Sequence, residues 1–172
     1  MQNDQIIQLI KSAQEGNKNA YRELCNANIR KIYNLAVRLI LNIEIAEVLT
    51  ENVFIEAWEN LKSIREEQEL GAWLNSIAIY KILDEIRTNE IKKELLKKKT
   101  ITESSFSILS TDKFENLILI LPDRKRIVFI LHEIEKYTYD EIADFSDEMT
   151  KDEIKNVIQS TRNSLINSPD YE

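Results

Sequence analysis

Residues 45–61 (IAEVLTENVFIEAWENL) and 71–88 (GAWLNSIAIYKILDEIRT) place apolar side chains every three or four positions, and each stretch carries one tryptophan. That spacing lines up one face of an α-helix, whereas a strand would alternate every second residue. The rest of the chain offers little to interrupt such helices. Its 172 residues include only two Gly and two Pro, so turns that demand special backbone angles must be few. The β-branched residues are mostly Ile at helical spacing. An all-α fold follows, and a hydrophobic content of 43% is enough for a packed core. The length suits one domain or two small ones.

The periodicity divides the chain. A first helix opens near Asp4 and ends at Gly16 and Asn17. A second is expected over about Asn19–Ala27, a third over about Asn28–Leu41, a fourth over about Ile43–Asn60 and a fifth over about Leu70–Lys99. The run TITESSFSILSTD then brings Ser and Thr without a period, which reads as a linker over residues 100–113. Residues 1–99 and 114–168 are therefore expected to be separate helical units. In the second unit Pro122 suits the first turn of a helix, PDRKRIVFILHEI. Thr138 with Glu141, and Thr150 with Glu153, have capping-box spacing ahead of the last two helices. Two capped helices joined by a short turn, the second long, form the outline of a helix-turn-helix.

Several kinds of chemistry are disfavoured. No nucleophile, metal-ligand or phosphate-loop pattern is present, so no enzyme activity, cofactor, metal or small-molecule substrate is expected. His132 is the single histidine and lacks neighbours at ligand spacing. Cys25 is the single cysteine, cannot form an internal disulfide, and reads as a packing residue in a helical pattern. Without a signal peptide, lipidation motif or long apolar run, the chain is expected to be cytoplasmic and not inserted in a membrane.

The net charge of −7 bears on nucleic-acid binding, because contact with phosphates requires cations. These gather in two places. Lys81, Arg87, Lys92, Lys93 and Lys97–Lys99 form one stretch; Arg124, Lys125 and Arg126 form a smaller one. Tyr80, Tyr137 and Tyr139 are candidates for stacking on unpaired bases. Against them stand Asp140, Glu141, Asp144, Asp147, Glu148, Asp152 and Glu153, part of which acids at helix N-termini explain. The outer side of the fourth helix, with Glu47, Thr50, Glu51, Asn52, Ile55, Glu56 and Glu59, is acidic and suits a basic protein partner. Trp58 and Trp73 read as core packing.

In order along the chain, AQEGNKNAYREL, NIRKIYNLAVRLI, EIAEVLTENVFIEAWENL, GAWLNSIAIYKILDEIR and LPDRKRIVFILHEIEKYTYDEIADF with the last helix resemble the extracytoplasmic-function (ECF) type sigma factors. These are small two-domain promoter-recognition subunits of bacterial RNA polymerase. The resemblance implies a sigma region 2-like domain at 1–99, a linker at 100–113 and a sigma region 4-like helix-turn-helix at 114–168. It implies a sigma factor that binds RNA polymerase core and directs promoter recognition and transcription initiation. Core polymerase, promoter DNA and an anti-sigma factor are the partners it implies.

Carried over residue by residue, the resemblance assigns polymerase binding to Glu47, Glu51, Asn52, Ile55 and Glu56. It assigns DNA binding to Tyr80, Lys81, Arg87, Arg124, Arg126, Lys155 and Arg162. The sequence also departs from the family. Gly71 and Ile79 stand near positions that are usually basic, and Val157 and Ser160 do the same in the last helix. The turn SDEMTKDE is acidic and one residue longer. These departures support an alternative, a degenerate sigma-like regulator that acts through protein contacts with polymerase or an anti-sigma factor and binds DNA weakly.

Overall fold

The computed structural model describes residues 3–64, 69–96, 113–146 and 148–167. The chain divides into two compact units, Met1–Glu94 and Leu95–Glu172. All regular structure among the described residues is helical.

The first unit is built on four helices, α1 (Asn3–Gln14), α2 (Lys18–Ile40), α3 (Ile43–Glu59) and α4 (Leu70–Leu96). Gly16 ends α1 in the left-handed region at φ 97°. Its N–H reaches the Ala13 carbonyl at 2.9 Å and the next N–H reaches Ser12 at 3.1 Å, the paired bonds of a Schellman stop. Asn17 then caps α2, its side chain accepting from the N–H groups of Asn19 and Ala20. The expected break at Asn28 does not occur, and α2 runs through it. Asn28 turns its amide back to the Leu24 carbonyl at 2.8 Å, which meets its polar group within the helix. Only Leu41, left-handed at φ 55°, and Asn42, whose side chain accepts from the Ile45 N–H, separate α2 from α3.

Burial in this unit follows the helical period. Leu24, Ile32, Leu35, Ala36 and Leu39 of α2 are buried, as are Ala46, Leu49, Val53 and Ala57 of α3. From α4, Leu74, Ala78, Ile79 and Ile82 are buried. Helix α2 packs against both α1 and α3. The Tyr21 hydroxyl donates to the Phe54 carbonyl, and its ring lies 4.8 Å from that of Trp58, pinning α2 to α3. Gln14 donates to the Leu61 carbonyl at 3.0 Å, which ties the end of α1 to the 3-10 turn Leu61–Ser63.

The second unit contains α5 (Lys113–Leu119), α6 (Asp123–Phe129), α7 (Tyr139–Ser146) and α8 (Lys151–Ile166). Its core includes Val128, Ile130, Leu131, Ile142, Ile154 and Ile158, each almost fully buried, and α8 packs against both α6 and α7. Pro122 caps α6 from just outside instead of occupying its first turn. The helix expected to run unbroken from Pro122 to Ile134 changes at Ile130 into a π turn, Ile130–Ile134. Both capping boxes form. The Thr150 N–H donates to Glu153 at 2.8 Å while the Glu153 N–H reaches the Thr150 hydroxyl, and Thr138 and Glu141 repeat the arrangement. The linker expected at 100–113 lies, apart from Lys113, outside the described residues, as do Lys97–Lys99 and Asp147. Among the described residues no helix is long and apolar enough to cross a membrane.

Candidate functional site

Each residue of an α-helix is turned about 100° from the last, so the buried Ala46, Leu49, Val53 and Ala57 fix the opposite side of α3 as its outer face. Glu44, Glu47, Val48, Glu51, Asn52, Ile55 and Glu59 are exposed there. Val48 and Ile55 stand 57% and 58% open, large apolar side chains one above the other within a rim of carboxylates. Aliphatic anchors inside an acidic border suit a protein surface that offers apolar area and cations. The expected polymerase-binding residues Glu47, Glu51, Asn52 and Ile55 therefore share one surface. Glu56 lies at its flank. Thr50 is not part of it, being buried and donating to the Ala46 carbonyl at 2.6 Å. Val48 was missed as an anchor, although the spacing 44, 48, 51, 55, 59 carries the signal.

Helix α4 presents a second face. Opposite its buried stripe lie Trp73, Tyr80 and Arg87, seven residues apart and therefore about 10 Å from one to the next along the axis. Tyr80 is 53% exposed, while Trp73 and Arg87 are half-buried. Two aromatic rings in line with a guanidinium can stack on unpaired bases and meet their backbone. Trp73, expected in the core, belongs to this outer line. Ile79 is fully buried, so its position is not on the face that meets a ligand, and an aliphatic residue there removes no contact. Lys81 sits between the two faces and forms an ion pair with Glu56 of α3.

In the second unit α7, the turn and α8 make the expected helix-turn-helix outline, but most of its cations face inward or are paired. Arg126 is corrected out of the DNA-binding set. It is 3% exposed, donates to the Leu121 carbonyl at 2.9 Å and meets Asp123 at 2.7 Å, so its guanidinium closes the start of α6. Arg162 donates to Glu133 at 2.8 Å, Lys151 meets Asp140 at 2.7 Å, and Arg124 lies 3.9 Å from Glu153. Lys155 is exposed on α8. The acids that crowd the sequence here have structural duties. Glu141 and Glu153 close capping boxes, and backbone N–H bonds from Thr138 and Thr150 hold both carboxyls below the usual carboxylate range. Tyr137 packs edge-on against Phe145 at 5.2 Å, and the Tyr139 ring lies 4.6 Å from His132. Nδ1 of His132 is 2.8 Å from the Tyr137 carbonyl, so this histidine braces the turn before α7. Cys25 is half-buried one turn from Tyr21, and burial pushes its thiol pKa up, which disfavours the reactive thiolate.

Known proteins share this arrangement. The family Sigma-70 region 2 matches residues 24–91, which span α2, α3 and most of α4. The ECF RNA polymerase sigma factor SigW of Bacillus subtilis (strain 168) is 25% identical over 156 residues, covering 81% of this chain and 83% of that protein. The RNA polymerase sigma factor YlaC of the same organism is 26% identical over 138 residues, covering 74% and 79%. Among solved structures, the sigma factor RpoE of Bartonella quintana, seen with the anti-sigma factor NepR, has a TM-score of 0.59 at 18% identity, covering 83% of this chain and 92% of that one. CnrH, seen with the cytosolic domain of CnrY, has a TM-score of 0.60 at 17% identity, covering 98% and 99%. These two likenesses concern the fold. The outer faces of α3 and α4 both fall within the matched segment: residues 24–91 form a Sigma-70 region 2 domain, and the chain is homologous to the ECF sigma factors.

Proposed function

We propose that this chain is a sigma factor that binds RNA polymerase core and directs promoter recognition and transcription initiation. One observation carries the reading: the segment matched by Sigma-70 region 2 holds both an outward apolar and acidic face on α3 and an outward aromatic and cationic line on α4. On this reading Glu47, Val48, Glu51, Asn52 and Ile55 meet the polymerase, with Glu56 at the flank. Tyr80, Lys81 and Arg87, joined by Trp73, meet the separated promoter strand. Residues 1–99 form the region 2 domain, 100–113 the linker, and 114–168 a region 4 helix-turn-helix on the upstream element through Arg124, Lys155 and Arg162. Two weak contacts on one chain raise each other's effective concentration, so neither need be strong alone. The protein acts in the cytoplasm as a regulatory subunit, not as an enzyme. An anti-sigma factor is a further partner, as in the complexes of RpoE with NepR and of CnrH with CnrY.

Transcription in vitro with core polymerase, with and without the chain, tests this reading. Promoter-specific initiation that depends on the chain is expected. The double charge reversal E51K/E56K is expected to weaken a polymerase pull-down while the helical circular dichroism stays unchanged; undiminished binding would remove the α3 assignment. A second reading is favoured by the inward Arg126 and the paired Arg124, Lys151 and Arg162. It is a sigma-like regulator that acts through protein contacts, and polymerase binding without promoter binding would establish it.

A further inference from the structure

The Glu56–Lys81 ion pair joins the two faces just described. Glu56 stands at the edge of the α3 face, next to Ile55. Lys81 stands at the edge of the α4 face, next to Tyr80. Both side chains remain accessible, at 42% and 28%, and among the described residues neither has a second ion-pair partner. The helices do not need this pair to stay together, because buried Val53, Ala57, Ala78 and Ile82 already supply apolar packing. An exposed pair contributes little to folding. It is nevertheless of the right size to bias a competition between partners.

We propose that this pair is a latch through which polymerase binding and DNA binding favour each other, resting on the reading given under Proposed function. In the free chain the Lys81 ammonium is neutralised by Glu56 and is drawn away from phosphate. A cation of the protein partner that takes Glu56 releases Lys81 to the strand. A phosphate that takes Lys81 releases Glu56 to the partner's cation. The coupling must be equal in both directions, because it is one free energy viewed from two sites.

The test uses the full chain, a fluorescein-labelled single-stranded oligo(dT) probe over a range of salt, and core polymerase. E56Q is expected to tighten strand binding by the free chain about two- to fivefold, the range that an exposed ion pair supplies. It should also steepen the dependence of log K on log salt by about 0.7, one added phosphate contact on a single strand. E59Q removes the same charge from the same helix without releasing a cation, and it sets the size of the general electrostatic gain. Beyond that baseline, the gain from E56Q should vanish in the K81M background. K81M should bind core polymerase about two- to fivefold more tightly than the parent chain. Equal gains from E56Q and E59Q, or a gain that persists in K81M, would overturn the latch while leaving the two binding surfaces intact. Failure of the parent chain to bind either the strand or the polymerase would overturn the functional reading and the latch together.

Discussion

Arg126 is the residue at which sequence and structure disagree most sharply, and its replacement separates the two readings. A cation that meets phosphate can be removed at little cost to folding. The structure gives Arg126 a different task, since its guanidinium holds the Leu121 carbonyl and Asp123 while its stem lies in the core. Truncation to Ala removes a charge-assisted bond to a carbonyl, about 1.5 kcal/mol at the low end of such bonds. It removes two buried methylene groups, at about 0.8 kcal/mol each. The Asp123 pair adds about 0.5 kcal/mol, because the carboxylate is half exposed and screened by water. The total is about 3–4 kcal/mol, which in a unit of this size lowers its Tm by roughly 12–25 °C. Both tryptophans lie in the first unit, so their fluorescence follows that unit alone, whereas circular dichroism follows both. R126A should therefore split the dichroism melt and leave the tryptophan melt in place. R126K should fare nearly as badly, because an ammonium cannot reproduce the forked donors. An R126A variant that melts like the parent, yet loses DNA affinity with a salt slope lower by about one, would refute this account.

The other expectations concern the pins and caps. Y21F should lower the stability of the first unit by about 1 kcal/mol, read by tryptophan fluorescence, because it deletes the donor to the Phe54 carbonyl and keeps the ring against Trp58. Burial raises the Tyr21 hydroxyl pKa well above the usual tyrosine value, so its contribution is complete below about pH 10 and is lost as the pH climbs through the raised value; Y21F should flatten that alkaline decline. T150A should cost the second unit about 1 kcal/mol in a denaturant titration followed by dichroism. The Glu141 and Glu153 carboxyls have lowered pKa values, so their contribution is present above the usual carboxylate pKa of about 4.3 and disappears as the pH falls through the lowered values. E141Q/E153Q should make the stability of the second unit less dependent on pH between 3 and 5, and an unchanged acid dependence would contradict the role of the caps.

Helix ends were readable where a side chain closes them. Gly16, Asn42, Thr138 and Thr150 each sit where the structure stops or starts a helix, because the residue type itself supplies the missing backbone angle or acceptor. Asn28 misled for the same reason: it carries a capping group, but here that group bonds back to Leu24 and the helix continues. The surface of α3 was legible because an alternation of acids with Val48 and Ile55 has one helical solution. Arg126, Thr50 and Ile79 were not. A charge or hydroxyl suggests exposure by its chemistry, whereas the fate of a side chain depends on which neighbour reaches it, and Leu121, Asp123 and Ala46 come into reach only when the helix is wound. The ion pairs that occupy Arg124 and Arg162 join residues 29 positions apart in each case, a separation that no local pattern encodes.

The π turn at Ile130–Ile134 has a consequence for how this chain tolerates a change in length. The Glu135 N–H reaches the Ile130 carbonyl at 3.0 Å, five residues back, where an α-helix would use the carbonyl four back. The helix thus contains one residue more than its α frame requires, and it absorbs that residue within a single turn. Lys136 then leaves the helix through the left-handed region at φ 68°, with its ammonium on the Glu133 carbonyl at 2.6 Å. Removing one residue from 130–134 would restore the α frame and turn everything beyond it by about 100° around the axis of α6. Glu133 would swing away from Arg162, and His132 would lose the Tyr137 carbonyl. The segment is in effect a one-residue spacer that sets the rotational phase between α6 and the helix-turn-helix.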